Sequence, residues 1–135
     1  PLDIYIKFNW YISDCVKRGV NINLEPYGLL DDDDYTPLGL AIYYKNMYII
    51  QVLIDNGADV NVQCGEYCCN DTPLTLACCS NQPEVVIILL LNGANPYIRG
   101  IDELNSFDNA EMYGTDEIKY IMKNWNIYKN INKKY

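Results

Sequence analysis

The sequence predicts an all-α solenoid of stacked helical hairpins, about four units long. Three observations carry that expectation. Prolines at 1, 37 and 73 open the matching stretches Pro1-Leu2-Asp3-Ile4, Pro37-Leu38-Gly39-Leu40 and Pro73-Leu74-Thr75-Leu76, each 36 residues after the last. Gly19, Gly57 and Gly93 follow as a second mark, in Gly19-Val20-Asn21, Gly57-Ala58-Asp59 and Gly93-Ala94-Asn95. Between the marks lie dense apolar stretches, Ile49, Ile50, Val52, Leu53 and Ile54 in one copy and Val85, Val86, Ile88, Leu89 and Leu90 in the next. A period in the thirties is the signature of units that cannot bury an apolar face alone and must stack.

Each element follows from local chemistry. Thr36 and Thr72 are predicted N-caps, and Pro37 and Pro73 take the first helical position, where no N–H is needed. Leu38, Leu40 and Ala41 begin a short first helix. Polar breaks follow at Tyr44-Lys45-Asn46 and Ser80-Asn81-Gln82. The apolar second helices end at Gly57 and Gly93, which supply left-handed caps. Leu38, Leu40, Ala41, Ile50, Leu53, Ile54 and Cys78 are assigned to the core.

Thr-Pro-Leu-x-Leu-Ala, then Val/Ile-rich helix, then Asn-Gly-Ala-Asp-Val-Asn closely resembles the ankyrin repeat. The match is strong over about 34–61 and 70–97 and degraded elsewhere. The resemblance implies an ankyrin-repeat solenoid over 1–125, with units at 1–33, 34–69, 70–102 and 103–125, followed by a basic tail at 126–135. The first unit reads as a shortened hairpin, since Gly19 comes two residues early relative to its counterparts. Phe8, Trp10, Tyr11 and Ile12 are expected to cover the end of the core, and an upstream unit is an open expectation. In the last unit Asn105-Ser106-Phe107-Asp108-Asn109-Ala110 stands for the Thr-Pro stretch. Ile118, Ile121 and Met122 supply one apolar face, with Lys119, Lys123 and Asn124 on a wet face, as a terminal cap needs. The tail from Asn126 is expected to fray, with Trp125 pinning its start.

Composition narrows the function. Net charge is −8, against a nucleic-acid partner, since phosphates want clustered Lys and Arg. No apolar run approaches the roughly 20 residues of a membrane span. The chain has no histidine, so histidine catalysis is excluded. No phosphate-cradling glycine loop or nucleophile set is present, and no cofactor is expected. Abundant Asn, Ile, Tyr and Lys fit an AT-rich genome, as in several large DNA viruses, slime moulds and malaria parasites.

The expected function is protein binding without catalysis. By resemblance, the concave face carries the two residues after Leu-Ala-x, here Tyr43 and Tyr44, Cys79 and Ser80, and Met112 and Tyr113. The finger edge adds Asp32, Asp33, Tyr35, Cys69 and Asp71. Both inter-unit loops are longer than the family's usual connection, and such insertions often mark the binding face. Asp31-Asp32-Asp33-Asp34 reads either as a solvated acidic turn or as a contact for a basic patch. It lacks the alternating spacing of a calcium loop. Cys64, Cys68, Cys69, Cys78 and Cys79 lack the paired spacing of a zinc site, and free thiols are expected throughout. Ile87 and Leu91 share one helix face where the family is usually polar. They are either a contact with another body or simply tolerated.

Irregular fingers, composition and decayed flanking units look similar to ankyrin proteins of poxviruses. That similarity implies a host-range or immune-evasion factor that captures a host antiviral or signalling protein in the infected cell's cytoplasm. Many such relatives end in an F-box-like segment that recruits a ubiquitin ligase, and none is legible here. The alternatives are a structural spacer or the substrate-binding part of a longer ankyrin/F-box adaptor.

Overall fold

The computed structural model describes residues 2–23, 35–65 and 70–131, with side chains from residue 6 onward. Asp32, Asp33, Cys68 and Cys69 fall outside the described residues. All regular elements among the described residues are helices: α1 (Leu2–Arg18), α2 (Pro37–Tyr43), α3 (Met47–Asp55), α4 (Pro73–Cys79), α5 (Pro83–Leu91), α6 (Ser106–Tyr113), α7 (Asp116–Lys123) and α8 (Trp125–Ile131).

The helices pair as α2/α3, α4/α5 and α6/α7. Successive first helices form an inner row in which α4 packs between α2 and α6. In the outer row α5 packs against α7, and α1 closes the other end against α3. A single core runs through the row, from Phe8 and Ile12 through Leu38, Leu53, Leu74 and Leu89 to Ile118 and Met122.

The expected caps are present. The Thr36 hydroxyl accepts from the Gly39 N–H at 3.1 Å, and that of Thr72 accepts from the Thr75 N–H at 3.2 Å. Gly57 and Gly93 sit at φ +87° and +89°, where a Cβ would be strained. The Ala58 N–H reaches the Leu53 carbonyl at 2.9 Å and the Ala94 N–H reaches that of Leu89 at 3.0 Å, so each helix closes in a Schellman turn.

Side chains outside the apolar pattern set the spacing between units. Asn23 Oδ1 accepts from the Asp59 N–H, and Asn61 Oδ1 from the Asn95 N–H, each at 2.7 Å. Buried Gln82 donates to the Ile42 carbonyl at 2.8 Å, one unit back. The Thr75 and Ser106 hydroxyls meet at 2.9 Å between α4 and α6. Gln82, Thr75 and Ser106 are buried, where a polar group without such a partner would cost stability, so their bonds fix one register between neighbouring units.

Four expectations are corrected. The first unit is not a shortened hairpin: α1 is one continuous helix of 17 residues. Phe8, Ile12 and Cys15 stand at i, i+4 and i+7, one helical stripe, and all are buried. Trp10 lies off that stripe and is 68% exposed, so it does not cover the core. Among the described residues the tail does not fray from Asn126: α8 continues to Ile131 and folds back on α5. Trp125 does pin it, with its ring 5.7 Å from Tyr97 and 6.2 Å from Phe107.

The fourth correction concerns the cysteines. Cys64 is buried and disulfide-bonded, whereas Cys15, Cys78 and Cys79 are free thiols. Burial pushes the Cys78 thiol up to about 12, with a smaller contribution from Cys79. That fits an inert core position rather than a nucleophile.

Candidate functional site

The inner row presents one repeated pair of positions at the end of each first helix: Tyr43 and Tyr44 on α2, Cys79 and Ser80 on α4, Met112 and Tyr113 on α6. A third position precedes each N-cap, occupied by Tyr35 and Asp71 in the two strong units. The structure gathers these residues into two neighbouring groups.

The first group is aromatic. Tyr43 is 55% exposed and stands between two other rings, with centroids 5.4 Å from Tyr35 and 5.2 Å from Tyr44. The Tyr43–Tyr44 pair is edge-on at 81°, a favoured arrangement for ring quadrupoles. Gly39 leaves room for the Tyr35 ring close to α2. A Cβ there would stand 3.3 Å from the Tyr35 ring. The Gln82 bond to the carbonyl of Ile42, the residue just before Tyr43, holds the backbone under the cluster.

The second group is polar. The Asp71 carbonyl accepts from the Cys64 N–H at 3.0 Å, which closes the finger and fixes Asp71 at its root. Its Oδ1 is buried and has no hydrogen-bond partner among the described residues. Burial, and then the charge of Asp102 on the next finger, push the Asp71 carboxyl up to about 6. Partial burial and the charges of Asp71 and Asp102 push the Cys79 thiol up to about 11. Its Sγ donates to Asn109 Oδ1 at 3.3 Å. Cys79 is therefore a thiol and not a thiolate near neutral pH, and a poor nucleophile. Among the described residues no three Cys, Asp or Glu side chains are placed to hold a metal ion.

The remaining expected residues differ in availability. The Ser80 hydroxyl is committed, donating to the Leu76 carbonyl at 2.6 Å and accepting from Gln82 Nε2 at 2.8 Å. Met112 and Tyr113 are 59% and 60% exposed on α6. Ile87 and Leu91 are only partly buried, and their helix is the one α8 packs against. A cleft of about 310 Å³ between α6 and α7, lined by Phe107, Ala110, Met122 and Lys123 among others, contains none of the expected contact residues. Sequence reasoning missed Asp102, Gln82 and Asn109. Their roles arise only when successive units are brought together.

A raised carboxyl pKa sets the sign of a stability change. The folded state holds the Asp71 proton up to about pH 6, while the unfolded chain releases it near pH 4. Between those values folding binds a proton, so stability falls as pH rises through the window. Asp71→Asn is expected to stabilise the fold at pH 7.5 by about 1 kcal/mol, the full shift being discounted for solvent screening of a partly buried group. Paired thermal melts should show that gain shrinking towards pH 4. An equal gain at both pH values would exclude the buried carboxylate as its cause.

Comparison with known proteins agrees with this architecture. A family profile described as ankyrin repeats, in three copies, matches residues 6–99. A putative ankyrin repeat protein of Fowlpox virus (strain NVSL) is 32% identical over 110 residues, covering 80% of this chain and 31% of its own length. A second Fowlpox virus putative ankyrin repeat protein is 34% identical over 96 residues, covering 68% of this chain and 31% of itself. The ankyrin repeat and KH domain-containing protein mask-1 of Caenorhabditis elegans is 27% identical over 112 residues, 82% of this chain and 4% of that protein. The chain thus spans less than a third of each of these relatives. No described helix is long and apolar enough to cross a membrane.

Proposed function

This chain belongs to the ankyrin repeat family, and from that premise we propose that its inner-row surface, centred on Tyr43, captures a protein partner without catalysis. The family is one of protein-interaction modules. The observation that carries the reading is the Tyr35–Tyr43–Tyr44 cluster. The Tyr43 ring, at the end of a short helix, contacts Tyr35 on one side and Tyr44 on the other and is itself more than half exposed. Aromatic side chains lose few rotamers on binding and are enriched at binding hot spots. A stack that already holds them in place lowers the ordering cost of association. Tyr35, Asp71, Cys79, Met112 and Tyr113 extend the contact along the row, and Asp32, Asp33 and Cys69 belong to it by sequence position.

The finer reading is a viral factor that binds a host antiviral or signalling protein in the host cytoplasm, acting in host range or immune evasion. The two Fowlpox virus relatives and the Asn-, Ile- and Tyr-rich composition support it. The test is affinity capture from avian and mammalian cell lysates with mass spectrometry, comparing wild type with Tyr43→Ala/Tyr44→Ala. Tyr48→Ala, an exposed tyrosine on α3, serves as control. The expected result is a host protein retained by wild type and by Tyr48→Ala but lost from the double variant. Identical retention by all three would overturn the inner-row site.

One observation favours a second reading, an internal section or substrate-binding part of a longer solenoid. α1 leaves Ile6 and Trp10 58% and 68% exposed. In that case Ile6→Ser/Trp10→Ser would change the captured set, and Tyr43→Ala/Tyr44→Ala would not.

A further inference from the structure

We propose that the outer face of α1 and α3 binds a second copy of this chain, in a two-fold dimer that packs α1 antiparallel to its counterpart. The contact lies away from the inner row and goes beyond that reading.

The face begins with the spacing of α1. Ile6 and Trp10 stand one turn apart, opposite the buried stripe of Phe8, Ile12 and Cys15, so the same helix that fills the core turns them outward. Trp10 and Tyr48 each come nine residues before the left-handed glycine that follows their helix, Gly19 and Gly57. They therefore hold the same place on successive outer helices. Asn46, the N-cap of α3, donates from Nδ2 to Asn9 Oδ1 at 2.9 Å. That bond ties the start of α3 to the turn of α1 that carries Trp10, and Met47 and Tyr48 join Ile6 and Trp10 in one patch.

Trp10 and Tyr48 are 68% and 69% exposed and offer roughly 300 Å² between them, and Ile6 and Met47 bring the patch to about 500 Å². Patches of that size mark interaction sites. An isologous pair would cover about 1,000 Å² with these side chains alone, the size a specific interface needs.

Charge selects the occupant. Lys7 and Asp14 lie seven residues apart, about two turns, on one flank of the outward stripe, with Trp10 between them. When a helix packs antiparallel on its own copy, each flank meets itself reversed, so Lys7 of each copy falls opposite Asp14 of the other. Asp14 holds Arg18 at 2.9 Å and its side chain is still 34% exposed, and Lys7 makes no ion pair among the described residues. A uniformly acidic or basic partner would answer one of these two charges and repel the other. The net charge of −8 sets the two bodies against each other at long range, and about 0.15 M salt confines that repulsion to roughly 8 Å.

Sedimentation equilibrium of the purified chain in that salt, from about 1 to about 200 µM, reads the dimer directly. The expected result is a concentration-dependent dimer. Trp10→Ser should weaken it roughly tenfold or more. Lys7→Glu, which sets a carboxylate against Asp14, should weaken it roughly fivefold, and Lys7→Glu/Asp14→Lys should return it to within about twofold of wild type. Lys123→Glu on α7 makes the same change of net charge far from the face and should leave the dimer unaltered, as should Tyr43→Ala/Tyr44→Ala. Circular dichroism confirms that each variant is folded.

A chain that stays monomeric throughout overturns the inference and leaves the stripe to a preceding unit or another protein. A dimer that keeps its strength in Trp10→Ser, or that is lost in Tyr43→Ala/Tyr44→Ala, overturns it as well. A dimer that the charge swap fails to restore excludes the antiparallel pairing. Lysate capture through Tyr43 does not depend on any of these outcomes, so the inner-row reading and this one fail separately.

Discussion

Leu89→Ala is expected to lower the free energy of unfolding by about 3 kcal/mol, the usual cost of a cavity at a fully buried leucine. Leu89 is wholly buried in α5. That helix touches α4 of its own unit, α7 of the next, and α8. Its loss therefore weakens more than one interface. In a stack where each unit contacts only its neighbours, stability is a sum of unit terms and interface terms. A lesion in a middle unit uncouples the two ends. The urea transition of Leu89→Ala should move to lower concentration and also broaden, because the halves no longer melt together. Leu89→Met, which keeps the volume, should cost less than about 1.5 kcal/mol and leave the transition sharp. A midpoint shift worth under about 1 kcal/mol for the alanine variant would mean that α5 does not hold the row together.

Why some of this was legible from residues alone, and some not, comes down to the range of the interactions. Thr36 and Thr72 each satisfy an N–H three residues away, and Gly57 and Gly93 each relieve strain in their own backbone. Such short-range chemistry is written in the local sequence. The core leucines and isoleucines follow from periodicity within one helix. The continuity of α1 was also available. Phe8, Ile12 and Cys15 keep helical spacing, and no Gly or Pro interrupts 2–18. The period set by the other units outweighed that signal and imposed a hairpin.

The candidate site divides in the same way. Tyr43 and Tyr44 follow from their place after Leu-Ala-x. Asp71 is legible by its position, but its raised pKa is not, because it comes first from burial among stacked units and then from a carboxylate 31 positions later on another finger. The disulfide at Cys64 was hidden by the opposite effect. Cysteine spacing shows which pairings are possible and not which one forms.

α5 shows how a signal can be legible while the element that answers it is not. Val85 through Leu91 is apolar without interruption. A helix apolar on every side must be covered on more than the face it turns to its own unit. Ile87 and Leu91 read either as a contact with another body or as tolerated; the structure packs the chain's own α8 on this helix and leaves both side chains partly exposed. Trp125→Ala tests that cover. The indole packs between Tyr97 and Phe107, with Lys129 Nζ 5.0 Å from its ring centroid. Truncating a partly buried tryptophan with two ring partners should cost about 2 kcal/mol. That is enough to detach a seven-residue helix, which is far too short to hold itself in water.

Detachment has a signature that plain destabilisation lacks. Hydrogen exchange should rise across Trp125–Ile131 and at the outer face of α5, while the amides of α2 keep their protection. Exposure of Ile87 and Leu91 should also increase binding of a hydrophobic dye without loss of helix elsewhere. Uniform loss of protection from α2 to α8 would instead make α8 an inseparable part of one cooperative unit. Unchanged exchange in α8 would mean that Tyr128, the other partly buried α8 aromatic packed on the core, holds the helix in place without the tryptophan.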